Sequence, residues 1–202
     1  MYYIQEKRHF SITIDKSEFI AVIYPLNDKN DLTEHLKDVK KNYPKATHYC
    51  SASVFGNNGE YTTANDDGEP SRTAGVPILE VLKHQNVTNI LCVVVRYYGG
   101  IKLGAGGLVR AYTKATAEVL KLAQYYHKKT VLVYNILFNY NNIQTIDHYL
   151  EQNNITVIEK TFLEAVSYKL ALYEEDLAAL KEIEYILVKK ESLGKTTRFI
   201  PL

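Results

Sequence analysis

The run Ile90-Leu-Cys-Val-Val-Val-Arg-Tyr-Tyr-Gly-Gly-Ile-Lys-Leu-Gly-Ala-Gly-Gly-Leu-Val-Arg110 holds half of the chain's ten glycines in one nine-residue window. Its first six residues are apolar and β-branched, the composition of a buried strand. Arg96, Tyr97 and Tyr98 then lead into Gly99, Gly100, Lys102, Gly104, Gly106 and Gly107. From about Ala105 to Ala123 a helical period follows, with Leu108, Ala111, Tyr112, Ala115, Val119 and Leu122 as its buried stripe. Arg110 and Lys114, four apart, fall on the exposed side. The segment therefore predicts a strand, a basic glycine-rich turn and a helix. Such a junction can hold an anion, because glycine lets backbone N–H groups approach closely and a helix start carries unpaired donors and a positive dipole end. The same glycines also serve a tight turn and close packing of helix on sheet.

Two phosphate motifs fail here at definite positions. A P-loop needs Gly-Lys-Ser/Thr after four intervening residues, but Ala105 and Gly106 follow Gly104. A dinucleotide fingerprint starting at Gly104 meets Val109 where its third glycine belongs, and no acidic residue lies at the ribose-binding distance. Neither nucleotide hydrolysis nor nicotinamide chemistry is supported, and no cofactor is expected.

Upstream, Asp66-Asp-Gly-Glu-Pro-Ser-Arg-Thr-Ala-Gly-Val-Pro77 carries three carboxylates, Asp66, Asp67 and Glu69, in four positions. Clustered carboxylates can take Mg²⁺ or act as acid and base. The plainer reading is a turn in which Asp and Gly fix the backbone and Ser71 or Thr73 caps the following helix. No metal site is expected. His48 and Cys50 form an H-x-C pair but lack a third ligand at recognisable spacing. Cys50 and Cys92 make no disulfide framework and are expected as buried, reduced thiols. No catalytic residue is assigned.

The 202 residues carry a net charge of +1, with 46% hydrophobic and 23% charged residues. That balance suits a chain with a real core, and it requires any nucleic-acid binding to come from a local patch. The first residues lack a signal-peptide core, and no apolar run is long enough to span a bilayer. A cytoplasmic location is expected, with no membrane association.

Further elements follow from the patterns. A strand is expected at Phe19 to Tyr24 and a helix from Asp31 to Asn42, ended by Pro44. A hairpin joins His48–Phe55 to Tyr61–Thr63 through Gly56-Asn-Asn-Gly59, and a helix runs to about Lys83. Tyr126 to Lys129 reads as a connector, dividing the chain into residues 1–127 and 128–202. The second part reads as strand Thr130–Tyr140, helix Ile143–Gln152, strands Ile155–Phe162 and Ala165–Tyr173, helix Glu174–Tyr185 and strand Gly194–Ile200. This βαββαβ order is ferredoxin-like. Its open sheet face suits a protein partner, which gives a reading of the chain as an interaction adaptor.

The stretches Asp66 to Leu82 and Val94 to Tyr112, together with Lys16 to Ala21 and Ala46 to Cys50, closely resemble the signature of the IMPACT/YigZ family. The resemblance implies an α+β, two-domain fold: an N-terminal domain like the second domain of ribosomal protein S-five, then a ferredoxin-like domain. That pair is similar to domains IV and V of elongation factor G. One departure is Arg72, which stands where the pattern commonly has glycine. Eukaryotic members are tied to translational control through an additional N-terminal domain. The chain is expected to begin at the core domain, so that activity is not expected of it. The resemblance implies a translation-linked or ribosome-associated, RNA-binding role; on physical grounds Arg96, Lys102 and Arg110 are expected to supply phosphate partners and Tyr97 and Tyr98 faces for stacking. A metal-dependent or hydrolytic enzyme built on Asp66, Asp67 and Glu69 is the alternative.

Overall fold

A computed structural model describes residues 1–28 and 30–202. The chain divides into two units, Met1–His127 with Ile200–Leu202, and Lys128–Phe199. Among the described residues no helix is long and apolar enough to cross a membrane.

The first unit is built on β1 (Arg8–Ile14), β2 (Ser17–Pro25), α1 (Asp31–Asn42), β3 (His48–Phe55), β4 (Tyr61–Asn65), α2 (Gly75–His84), β5 (Ile90–Tyr97) and α3 (Gly104–Lys121). The five strands form one antiparallel sheet in the order β1-β2-β5-β3-β4. β5 lies at its centre, which is why Ile90 to Val95 is apolar without interruption: successive side chains enter opposite faces and both faces are covered. Cys92 and Val94 meet α2 and α3 on one face, while Leu91, Val93 and Val95 meet Val39 and Leu36 of α1 on the other. On the first face the rings of Phe19 and Tyr112 meet edge-on at 5.3 Å, a geometry worth about 0.5–1.5 kcal/mol beyond area burial.

β1 was not among the sequence expectations. Its alternation is present in Arg-His-Phe-Ser-Ile-Thr-Ile, with a half-buried and exposed pattern of period two. The turn that joins it to β2 hides it, because Asp15 and Lys16 take positive φ of 44° and 62° without a glycine. Two other corrections concern ends of helices. α3 stops at Lys121, so Leu122 is 51% exposed and leaves the buried stripe. α2 is capped neither by Ser71 nor by Thr73, whose hydroxyl donates to the Pro70 carbonyl at 2.6 Å. The cap is Asp66: its Oδ1 accepts the N–H groups of Ala74 and Gly75 at 3.0 and 2.8 Å.

The second unit consists of β6 (Tyr126–Phe138), α4 (Ile143–Gln152), β7 (Thr156–Phe162), β8 (Val166–Leu172), α5 (Leu177–Glu182) and β9 (Leu187–Pro201), with β6 starting at the end of the first unit. The sheet order β7-β8-β6-β9 and the βαββαβ sequence define a ferredoxin-like sheet. Ile136, Phe138, Tyr168 and Leu170 form its core with Ile146, Leu150 and Leu180 from the helices. Three details differ from the sequence expectations: Tyr126 to Lys129 belongs to β6, α5 is a six-residue helix flanked by short 3₁₀ turns, and β9 begins seven residues before Gly194. Its exposed run of Lys and Glu gave no period to detect.

Candidate functional site

At one end of the first sheet, the end of β5, the acidic turn and the start of α3 enclose a cleft of about 480 Å³. Its wall includes His48, Glu69, Arg96, Tyr98, Lys102 and Gly104. The two charged segments singled out in the sequence therefore meet in space, and they use their charges in opposite ways.

The acidic side is tied into the fold, with Glu69 buried, Asp66 half-buried and Asp67 exposed. Besides capping α2, Asp66 accepts the Arg72 N–H through Oδ2 at 2.8 Å. Desolvation pushes its carboxyl upward, but the N–H groups of Arg72, Gly75 and Ala74 outweigh that and hold it below the ordinary range. Asp67 Oδ2 accepts the Tyr49 N–H at 2.6 Å, and its carbonyl meets His48 Nδ1 at 2.8 Å. Glu69 is 8% exposed; its Oε1 accepts Arg96 Nη1 and the Tyr112 hydroxyl, each at 2.7 Å. The three carboxylates thus serve three separate sets of partners. Among the described residues no group of three or more His, Cys, Asp or Glu side chains is placed to hold a metal ion.

Arg96 was expected to reach phosphate, yet it is 5% exposed. Its Nη1 is committed to Glu69, Nη2 donates to Ser17 Oγ at 3.3 Å, and the guanidinium lies 5.4 Å from the ring centres of both Phe19 and Tyr98. Its Nε is buried and has no hydrogen-bond partner among the described residues. β5 places Arg96 on the α2–α3 side of the sheet, where a lone cation would be costly, and Glu69 offsets that cost. Tyr97 takes the opposite face: its hydroxyl donates to the Pro44 carbonyl and its ring packs with the α1 cluster. Tyr98, beyond the strand, is 45% exposed at the cleft.

The glycine turn is held from below. Gly99 donates its N–H to Ser17 Oγ at 3.2 Å, and a Cβ there would sit 1.9 Å from the Lys16 carbonyl oxygen. Gly100 and Gly104 have φ of +86° and +68° with open space around the missing side chain, so they shape the turn. Gly107 instead packs close to Leu103. α3 then starts after Leu103 with no side-chain cap on its first amides among the described residues, and Gly104, Ala105 and Gly106 are exposed. Lys102, Arg110 and Lys114 are exposed and form no ion pair with a described residue.

Ser17, Thr47, His48 and Tyr112 complete the site and were not assigned to it from the sequence. For His48 the signal would have been the strand register, which sets it opposite Arg96 across β3 and β5 as Phe19 is across β2 and β5, whereas Tyr112 belongs to the buried stripe of α3. Cys50 lies beneath, its sulfur 3.0 Å from the Asp66 carbonyl and 3.2 Å from the Tyr112 hydroxyl. Burial pushes its thiol up to about 12, with Glu69 adding to the shift against the Tyr112 hydrogen bond. Cys92 is likewise raised to about 12 by burial. Both cysteines are free, buried and protonated at neutral pH, so neither is a ready nucleophile.

Sheet, helices and cleft define a two-domain α+β protein with a βαββαβ second domain. The Impact N-terminal domain pattern matches residues 15–120, and a domain of unknown function (DUF1949) matches residues 136–182. The chain belongs to the IMPACT family. It is 37% identical over 179 residues to the IMPACT family member YvyE of Bacillus subtilis (strain 168), covering 89% of this chain and 82% of that protein. It is 34% identical over 161 residues to YigZ of Escherichia coli (strain K12), covering 79% of each. A crystal structure described only as a hypothetical protein aligns over 100% of this chain and 96% of its own, with a TM-score of 0.62 at 26% identity.

Proposed function

We propose that the protein is a non-enzymatic binder of RNA, associated with the ribosome and with control of translation, and that the start of α3 is its phosphate-reading site. The observation that carries this reading is the division of charge at the cleft. Glu69 is paired with Arg96, and the carboxylates of Asp66 and Asp67 are engaged by backbone N–H groups, which offsets part of the charge they show to an incoming anion. Lys102, Arg110 and the uncapped first amides of α3 stand outward. Backbone amides at a helix start and unpaired cations are the groups that position a nucleic-acid backbone. The exposed Tyr98 ring, next to them, adds a face for a base, worth about 1–3 kcal/mol where stacking occurs. Gly100, Gly104 and Gly106 keep side chains out of the way of the phosphate, Gly99 and Gly107 let the turn close onto Lys16 and Leu103, and Arg96 and Tyr97 hold it in place.

The test is binding of single-stranded RNA and of ribosomes by the full chain across a salt series. In the Lys102→Ala/Arg110→Ala variant the slope of log K against log salt should fall by about 1.4, from about 0.7 per lost phosphate contact. Unchanged affinity and slope in that variant would remove the start of α3 from the reading.

A further inference from the structure

α1 ends in Lys40 and Lys41, and Lys45 follows just beyond it. No Asp or Glu occurs between Val39 and Gly59. All three lysines are exposed and none forms an ion pair with a described residue; Lys40 lies 5.5 Å above the Tyr49 ring. Lysines in a last helical turn favour the negative dipole end, but Lys45 lies outside the helix, in a left-handed conformation with φ of 61°.

The loop carrying Lys45 is fastened to the cleft. Tyr97 donates its hydroxyl to the Pro44 carbonyl at 3.1 Å, Thr47 donates its N–H to the Arg96 carbonyl at 2.8 Å, and Tyr98 donates its N–H to Thr47 Oγ1 at 3.0 Å. Thr47 itself lines the cleft. Lys45 is two residues away, at most about 7 Å along the chain. The cationic edge is therefore continuous with the cleft around the end of the sheet. Tyr43 and Tyr49, the latter donating its hydroxyl to the Tyr43 carbonyl at 2.6 Å, pack half-buried on the α1 core and fasten this edge to the sheet.

We infer that Lys40, Lys41 and Lys45 extend the α3 site into a track for a single-stranded RNA several phosphates long, rather than for a mononucleotide or an isolated phosphate. The inference rests on the phosphate-reading site proposed above. Exposed cations that follow one another around the end of the sheet to a helix-start phosphate site suit the evenly charged backbone of a flexible single strand, whose bases can reach the exposed Tyr98 ring at the cleft.

The experiment compares a trinucleotide and a dodecanucleotide of single-stranded RNA by fluorescence anisotropy across a salt series, using the full chain. The Lys40→Ala/Lys41→Ala/Lys45→Ala variant should lose about two units of salt slope on the dodecanucleotide, three contacts at about 0.7 each, and bind the trinucleotide as the wild type does. An unchanged dodecanucleotide slope in this variant, with binding still weakened by Lys102→Ala/Arg110→Ala, overturns the track and leaves the α3 site standing. No binding of either RNA at low salt overturns both. Equal competition by polyglutamate of matched charge assigns the edge to acidic protein and overturns the RNA track.

Discussion

The acidic turn from Asp66 to Glu69 and the basic turn from Arg96 to Arg110 are both dense in charge and glycine, and they border the same cleft. They differ in what their side chains are for. The acidic residues bind backbone N–H groups, a buried guanidinium and a buried phenol, so they hold the fold. Among the basic residues only Arg96 does so, while Lys102 and Arg110 are left to solvent. A cluster of charges is thus not a site until its partners have been counted. The comparison can be broken most severely at Glu69. Glu69→Ala leaves Arg96 buried without its partner and the Tyr112 hydroxyl without its acceptor, and should cost about 3–5 kcal/mol in denaturant unfolding. Replacing Glu69 and Arg96 together by apolar residues of similar size should recover most of that loss. A cost below about 1 kcal/mol for Glu69→Ala would mean that the acidic turn is as solvated as the basic one.

The glycines sharpen the contrast within the basic turn. Gly99→Ala places a Cβ 1.9 Å from the Lys16 carbonyl oxygen, so β1–β2 or the turn must shift. A penalty of about 1–3 kcal/mol, the usual range for overpacking, is expected in the same unfolding measurement. Gly100→Ala meets nothing and bears only the strain of its φ of +86°, about 1–2 kcal/mol. If Gly100→Ala proves the costlier of the two, the turn is not resting on Ser17 and Lys16 as described.

Much of this architecture was legible because its signals are local. β5 announced itself by six apolar residues, α1 by its period and Pro44, and the β3–β4 hairpin by Gly56 and Gly59. β1 was missed since Asp15 and Lys16 make its turn without glycine. The site was legible in its position but not in its wiring. That Arg96 is buried follows from its sheet register opposite Phe19 and His48, and its pairing with Glu69 spans 27 residues. Asp66 acting as the cap for amides eight and nine residues on is equally nonlocal, so Ser71 and Thr73, nearer in sequence, looked like the better candidates. Arg72 has φ of 63°, a left-handed backbone that glycine adopts without strain, so the structure holds a non-glycine residue there at a local cost.

Asp66 supplies the next test. Asp66→Ala removes the acceptor of three N–H groups and should cost about 0.5–2 kcal/mol, the range for losing a helix cap. Its folded pKa is depressed, so its contribution is fully present above the unfolded value, near 3.8, and is lost as pH falls through the folded value. The stability gap between wild type and Asp66→Ala should accordingly be constant from neutral pH down to about 5 and close at lower pH. A gap that persists unchanged on the acid side of both values would show that the carboxylate's charge plays no part in the cap.

The smallest effect is expected on the other side of the comparison. Lys102→Ala and Arg110→Ala remove charges that touch no partner among the described residues, and each should leave unfolding free energy within about 0.5 kcal/mol. The same substitutions are expected to weaken RNA binding, which separates them from Glu69→Ala, where stability falls first and binding follows. The distinction is physical: a charge already satisfied inside the fold is missed by the fold when it is removed, whereas an unpaired exposed cation is missed only by a ligand. Measuring both quantities on both variants therefore decides whether the outward charges of the basic turn are surplus surface or a binding surface. Unchanged stability with unchanged binding would make them the former, and the cleft would then be a by-product of the Glu69–Arg96 contact that closes it from below.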